Sequence, residues 1–367
     1  MTGQPTRGAV DEVGSAIGTA DRSADRPDSG AIGTRPPLAV RVLRRYRVEV
    51  VIAVAIVLIE LLLGAFKSVA LTNGNLTNIA QAAAPLIILA YAQLLVMVTG
   101  GIDLSVGSTF SLAGVATAAA LPHHGVVGAV LIGLGVGAAT GCFNGFCVGV
   151  LGIAPFIATL ITFSVNASLA FVVAGGNSKP VLSHTFVSIQ QGHIGTVANY
   201  VVYVIALLLL IEFVFLRLTF GRWLFAVGSN EEAARLLGVP SRTVKLAAYT
   251  LCGVLSAFAA ILSIAYLQDA EVTAGNGLEL EAIAAVVIGG ASLSGGVGSA
   301  FGAFVGALLV TVIQNGVDLL GINSFYNGTV TGAVILVAVL LERVSRGSDG
   351  TRVRRLRDIV LRRLRAT

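Results

Sequence analysis

The stretch "VTGGIDLSVGSTF" (residues 98–110) sets two glycines and a carboxylate, Asp103, between apolar runs that otherwise avoid charge. Paired glycines end helices easily, and a carboxylate taken out of water is costly unless partners offset it. The stretch therefore reads as a break between helices in an apolar medium. Asp103 needs a structural or a functional job there.

Composition supplies the medium. Of 367 residues, 55% are hydrophobic and only 12% charged, with 44 glycines and a mean hydropathy of +0.88. A soluble domain carries about 25% charged residues. The fold class is thus an all-α polytopic membrane protein. A bilayer core of about 30 Å is crossed by ~20 apolar residues of helix, which gives candidate spans at 48–66, 76–99, 104–121, 126–151, 153–174, 197–216, 244–267, a short one at 280–290, then 299–316 and 326–341. That is about ten transmembrane helices, with broken helices among them.

Arginine and lysine set the orientation, because short cytoplasmic loops hold the positive excess. With the amino terminus inside, Arg41, Arg44, Arg45 and Arg47 are inside, as are Arg217, Arg222, Arg235, Arg242, Lys245 and the cluster from Arg343. Only Lys67 and Lys179 fall outside. Both termini are then cytoplasmic, and the net charge of +5 reflects topology rather than nucleic-acid binding.

The expected organisation is a membrane domain over 38–345 with a cytoplasmic loop at 218–243 inside it. Residues 1–37 lack any apolar run or aromatic residue and read as a disordered cytoplasmic extension without a signal peptide. The tail 346–367 is basic. Val353, Leu356, Val360 and Leu364 share one helical face, so the tail reads either as an interfacial helix or as a solvated basic segment. In the central loop, "SNEEAARLLGVP" (229–240) has its own start and stop. Ser229 or Asn230 can cap it, Glu231 and Glu232 suit the first turn, and Gly238 with Pro240 ends it. Ala233, Leu236 and Leu237 form a small apolar face, which must rest against the chain's own spans or a partner.

Catalytic signals are few. Only Lys67-Ser68 has the Lys-Ser pair of a phosphate-binding loop, and Leu61 and Phe66 stand where that loop needs glycine. Cys142, Cys147 and Cys252 lie in spans without a CxxC pair and read as small hydrophobes. His123, His124, His184 and His193 sit in outer loops without a metal-ligand pattern. No nucleophile elbow or HExxH pair falls in a span.

The chain resembles itself. "GGIDLSVGSTF" from Gly100 matches "GGASLSGGVGSAF" from Gly289, with Gly295-Gly296 inserted in the second. Each copy follows an apolar segment and leads into a small-residue span, as internal repeats with broken helices do in transporters. The short 280–290 segment leaves open whether the repeats are parallel or inverted. The helix-break motif comprises Gly100, Gly101, Asp103 and Ser105 in the first copy and Gly289, Gly290, Ser292 and Ser294 in the second. Because Asp103 aligns with Ser292, and both types are good helix N-caps, a cap at a helix break is the favoured role for Asp103. A transport residue is the other.

"GGIDLSVGS", "GRWLFAVGSNEEAARLLGV", "YTLCGVLSAFAAILSIAYL" and "AGNGLELEAIAAVVIGGASLSGGVGSAFGAFVGAL" resemble, in order and spacing, the ribose-type permease subunits of bacterial ATP-binding-cassette (ABC) sugar importers. The likeness runs from about residue 71 to 343; the amino-terminal extension and the tail lie outside it. It implies a homodimeric pore in the bacterial inner membrane, an extracytoplasmic sugar-binding protein and a cytoplasmic ATPase. ATP and Mg would be bound by that ATPase, with no cofactor in this chain. It also implies that the central loop couples to the ATPase through Gly228, Asn230, Glu231, Glu232, Ala233, Arg235 and Gly238, and that a monosaccharide passes by alternating access. An uncharged sugar needs hydroxyl partners and aromatic faces, for which Gln93, Asn144, Thr159, Thr162 and Asn166, with Phe156 and Phe163, are the intramembrane candidates. Two other readings stay open. A stand-alone ion-coupled transporter would use Asp103, Glu60, Glu212 or Asp318, and a membrane scaffold without flux would use the loop only for docking.

Overall fold

The computed structural model describes residues 47–323, 326–333, 336 and 340. The extension, the basic tail and much of the last expected span lie outside the described residues. The helices are α1 (Arg47–Phe66), α2 (Asn73–Met97), α3 (Val106–Gly149), α4 (Pro155–Ala174), α5 (His184–Gln191), α6 (Asn199–Arg217), α7 (Thr219–Ser229), α8 (Glu231–Leu236), α9 (Ser241–Leu267), α10 (Leu278–Ile288) and α11 (Ala300–Leu319). Among the described residues, α1, α2, α3, α4, α6, α9 and α11 are long and apolar enough to cross a membrane.

Helix α3 is the outlier. Its 44 residues would extend about 66 Å at the standard rise, roughly twice a bilayer core. Gly125, at φ 64° and ψ −176°, interrupts it, so the segment is two helices of crossing length. The expected spans at 104–121 and 126–151 lie on either side of that residue.

The core is built on α2, buried almost continuously from Ala83 to Thr99, with α9 against it and the second half of α3 packed on α9. Gly133, Gly137, Gly141, Gly145 and Gly149 recur every fourth residue on one face of α3. A Cβ on Gly137 would collide with the Gly253 carbonyl of α9, one on Gly141 with the Tyr249 carbonyl, and one on Gly145 would come within 2.8 Å of the Leu246 backbone. Helices in an apolar solvent associate by such close packing, because no hydrophobic gain separates lipid from leucine. The same device joins α10 to α11, where Gly289 and Gly302 face each other backbone to backbone. By contrast, α1 exposes most of its large apolar side chains, and α6 exposes Val201, Ile205, Leu209, Leu210, Phe213 and Leu216, as lipid-facing or partner-facing helices do.

The connection between α4 and α6 departs from an all-helical reading in a small way. Two-residue strands β1 (Lys179–Pro180) and β4 (Asp269–Ala270) pair antiparallel, as do β2 (His193–Ile194) and β3 (Val197–Ala198). The first pair ties the connection to the chain just after α9, and the second is a local hairpin. Chain 271–277 then turns inward, where Gly275 N–H donates to Ser111 Oγ of α3 at 2.9 Å, and the 11-residue α10 begins. Helix α10 is therefore too short to cross, as its sequence indicated.

Candidate functional site: two helix breaks and a projecting loop

Helix α2 ends where the sequence put a break. Gly100 N–H donates to the Met97 carbonyl at 2.9 Å and Gly101 N–H to that of Val96 at 3.3 Å, with Gly100 at φ 82°. This is the left-handed closure that glycine permits at a helix end. Helix α10 closes in the same way: Gly290 N–H reaches Val287 at 2.9 Å, Ala291 N–H reaches Val286 at 3.1 Å, and Gly290 has φ 90°. Aligned by sequence, Gly100 stands opposite Gly289, so the left-handed residue is displaced by one position between the two breaks.

Beyond each closure comes a side-chain turn. Asp103 Oδ1 accepts from Ser105 N–H at 2.8 Å and from Ser105 Oγ–H at 2.6 Å. Ser292 Oγ accepts from Ser294 N–H at 3.1 Å and lies 2.9 Å from Ser294 Oγ. The expected N-cap role is corrected in both cases. Residue 105 precedes α3, so Asp103 satisfies an N–H ahead of the helix rather than within its first turn, forming an Asx turn. Helix α11 is capped by Ser299, seven residues past Ser292, through a 2.9 Å bond from Gly302 N–H.

The start of α11 also gathers two acids. Ser299 Oγ donates to Glu49 of α1 at 3.0 Å, and Glu212 of α6 accepts from Ala300 N–H at 3.1 Å and from Phe301 N–H at 3.3 Å. Carboxylates at an orphan-donor end suit the helix dipole and its unpaired N–H groups. Glu212, considered above as an ion ligand, is thus a cap supplied by another helix, and Glu49 was not singled out. An acid inside an otherwise apolar span was the available signal for Glu49, but its partner Ser299 lies 250 residues away.

Most candidate path residues converge on the first break. Asn144 Nδ2 donates to Ser105 Oγ at 2.8 Å and lies 3.5 Å from Asp103 Oδ2. Thr162 Oγ1 donates to Asn144 Oδ1 at 2.6 Å. Thr159 Oγ1 bonds the Pro155 carbonyl at 2.9 Å and lies 3.5 Å from that of Ile102. The Gln93 amide, oriented to satisfy both its atoms, donates to the Asp103 carbonyl at 3.0 Å and accepts from the Asp103 N–H at 3.3 Å. Asp103 is 2% exposed. Four helical segments are therefore joined through one buried polar cluster. Tyr249 of α9, also buried, closes it from the side, where a Cβ on Gly101 would collide with Oη. Asn166, further along α4, bonds Thr109 Oγ1 at 3.1 Å, outside the cluster. Phe156, 59% exposed, faces outward, and Phe163 is half-buried. Gln93, Asn144, Thr162 and Asn166 thus bond between segments, Thr159 bonds chiefly within its own helix, and the two aromatics stand apart from the cluster.

The loop at 218–243 is more ordered than a surface connection. Helix α7 folds back onto the bundle with Gly221, Leu224 and Val227 buried. Helix α8 projects. Asn230 caps it, its side chain accepting from Ala233 N–H at 2.9 Å, and Gly238 and Val239 N–H close its end on Arg235 and Ala234, both at 3.0 Å. Of the two expected supports for its apolar face, the chain's own spans do not cover it: Ala234 is the buried residue, Ala233 is exposed, and Leu236 and Leu237 are 80% and 85% exposed. Lys245 of α9 pairs with Glu231 at 2.6 Å and holds α8 to the bundle. Beside it lies a cavity of about 710 Å³ lined by the α3–α4 connection, Glu231, Arg235 and the first residues of α9.

Broken, tightly packed helices with a polar cluster at one break and an ordered projecting loop define a multi-pass membrane protein of the transporter type. Residues 75–339 match the family described as branched-chain amino acid transport system, permease component. The chain is 52% identical over 322 residues to "Probable ABC transporter permease protein y4mJ" of Sinorhizobium fredii, covering 88% of this chain and 96% of that one. It is 39% identical to the ribose import permease protein RbsC of Bacillus subtilis (73% and 84% covered) and 32% identical to the D-allose transport system permease protein AlsC of Escherichia coli (75% and 85% covered). No solved structure matches it. The chain belongs to the ribose-type and branched-chain-amino-acid-type family of ABC transporter permeases.

Proposed function

We propose that this chain is the membrane-spanning subunit of an ABC importer for a monosaccharide, a ribose-like pentose or a related sugar, and that it works by alternating access as a homodimer. A separate cytoplasmic ATPase binds ATP and Mg, and an extracytoplasmic binding protein delivers the sugar. Both termini and the α7–α8 loop face the cytoplasm of a bacterial inner membrane. Ten spans in two duplicated halves carry the path, each half containing one of the two breaks. Family membership supports the class, and the ribose and allose relatives support the substrate class.

The observation that carries the mechanism is α8. A six-residue helix is marginal alone in water, yet this one is capped at both ends, pinned by Glu231–Lys245 and presents Leu236 and Leu237 outward. That geometry suits insertion into a partner's groove. Asp103 supports a path coupled to ATP rather than to an ion, since its carboxylate oxygens are engaged by Ser105 and Asn144.

Reconstitution with and without the ATPase tests the proposal. Uptake is expected to require both ATP and the partner. ATP-independent uptake abolished by Asp103→Asn would overturn it in favour of ion coupling. Glu231→Arg, which places a cation against Lys245, is expected to weaken ATPase association or coupling about tenfold. Unchanged association and coupling would remove α8 from the docking role.

A further inference from the structure

Three segments distant in sequence meet backbone to backbone at one point. Gly296 N–H, in the second break, donates to the Val98 carbonyl at the end of α2, 3.0 Å away. Gly228, the penultimate residue of α7, lies between them: a Cβ there would collide with the Val98 carbonyl oxygen and come within 2.7 Å of Gly296 N. From the other side, a Cβ on Gly295 would lie 2.8 Å from Gly100 Cα and 2.9 Å from the Gly228 carbonyl oxygen. No side chain separates the three strands of backbone. Elsewhere in this bundle glycines bring two helices together; here they join both helix breaks and the base of the projecting loop.

A junction of this kind transmits displacement differently from ordinary packing. Flexible side chains absorb small shifts by changing rotamer, whereas backbone in contact with backbone has no such slack. Only Ser229 and Asn230 separate Gly228 from α8, so a movement of α8 reaches Gly228 with little compliance between them. Val98 is the C-cap residue of α2, and its carbonyl is one of the orphan acceptors at that helix end. Its partner is supplied by the second break. We infer that this glycine junction is the device through which displacement of α8 repositions both breaks at once, with Gly228 as the positioning residue. The inference rests on the docking role of α8 proposed above.

Hydrogen–deuterium exchange on the complex with its ATPase tests it, following peptides over 96–105, 230–240 and 289–299 with and without a non-hydrolysable ATP analogue. The expected result is that all three segments change together. A change at 230–240 that only one break follows, or neither, overturns the inference while leaving docking intact. If the ATPase leaves 230–240 unaffected, the docking role itself fails and the transmission role falls with it. The isolated chain gives a measurement independent of the partner. Gly228→Ala is expected to raise exchange about tenfold at both 96–101 and 294–298 while the hairpin at 193–198 stays unchanged. Gly135→Ala, which meets nothing within 4 Å, should move none of these segments. A rise confined to 225–231 overturns the junction, and should Gly228→Ala fail to fold, the unmodified complex decides alone.

Discussion

The two helix breaks make the same turn with different chemistry. At the first, a carboxylate accepts from a serine two residues on. At the second, a hydroxyl does the same work. The turn itself therefore does not require charge. What Asp103 adds is reach: its second oxygen lies near Asn144, and through Asn144 and Thr162 the break is bonded to the second half of α3 and to α4. Among the described residues Ser292 makes no bond to a distant side chain; at the second break Ser292 N–H donates to the Val297 carbonyl at 3.1 Å and Gly296 N–H to the Val98 carbonyl at 3.0 Å, and Gly289 lies against α11. These contacts join the first break to other helices through side chains, and the second to α2 and α11 through backbone.

This contrast can be broken at its polar side first. Asp103→Leu strands the Ser105 N–H and the Ser105 hydroxyl hydrogen in a buried site, while Asn144 keeps its bond to Ser105 Oγ, and is expected to cost about 3 kcal/mol, since each buried donor left unpaired carries its full desolvation penalty. Thermal unfolding in detergent measures it. Asp103→Ser, which imports the chemistry of the second break, should recover part of that loss by restoring the turn without the reach to Asn144. Equal stability of the serine and leucine variants would mean that the turn contributes nothing.

The packing side comes next. Gly289→Ala pushes a methyl group into the Gly302 backbone, whereas Gly101→Ala meets the Tyr249 hydroxyl. Overpacking of a fixed backbone costs about 1–3 kcal/mol, and the Tyr249 ring can tilt while the α11 backbone cannot. Gly289→Ala should therefore be the more destabilising of the two, measured by the same unfolding assay. The smallest expected effect is Ser292→Ala, at about 1 kcal/mol for one lost turn bond. A loss as large as that of Asp103→Leu would show that the second break depends on polar bonding as heavily as the first.

Much of the fold was readable in one dimension. Apolar run lengths located α1, α4, α6, α9 and α11 to within a few residues, glycine pairs located the breaks, and the short 280–290 run announced a helix that does not cross. The flanking Asn230 and Gly238 bounded α8 correctly. The capping assignments failed because a short oxygen-bearing residue after a glycine pair suits either an N-cap or an Asx turn, and the choice depends on where the next helix begins. The apolar face of α8 was legible, but what it rests against was not, because a six-residue helix has too few positions for its periodicity to separate a side covered by its own bundle from one left outward.

By itself the sequence determined the class of medium, the length of each crossing and the places where the chain must turn. Those follow from the transfer cost of side chains and from the restricted backbone of every residue except glycine, both local properties. Only the tertiary structure decided that Glu212 caps a helix 88 residues away, that Asn144 and Thr162 complete the environment of Asp103, and that Val98, Gly228 and Gly296 meet. Hydrogen-bond partners and backbone contacts between remote segments depend on the relative placement of whole helices, a property that no short window of sequence contains.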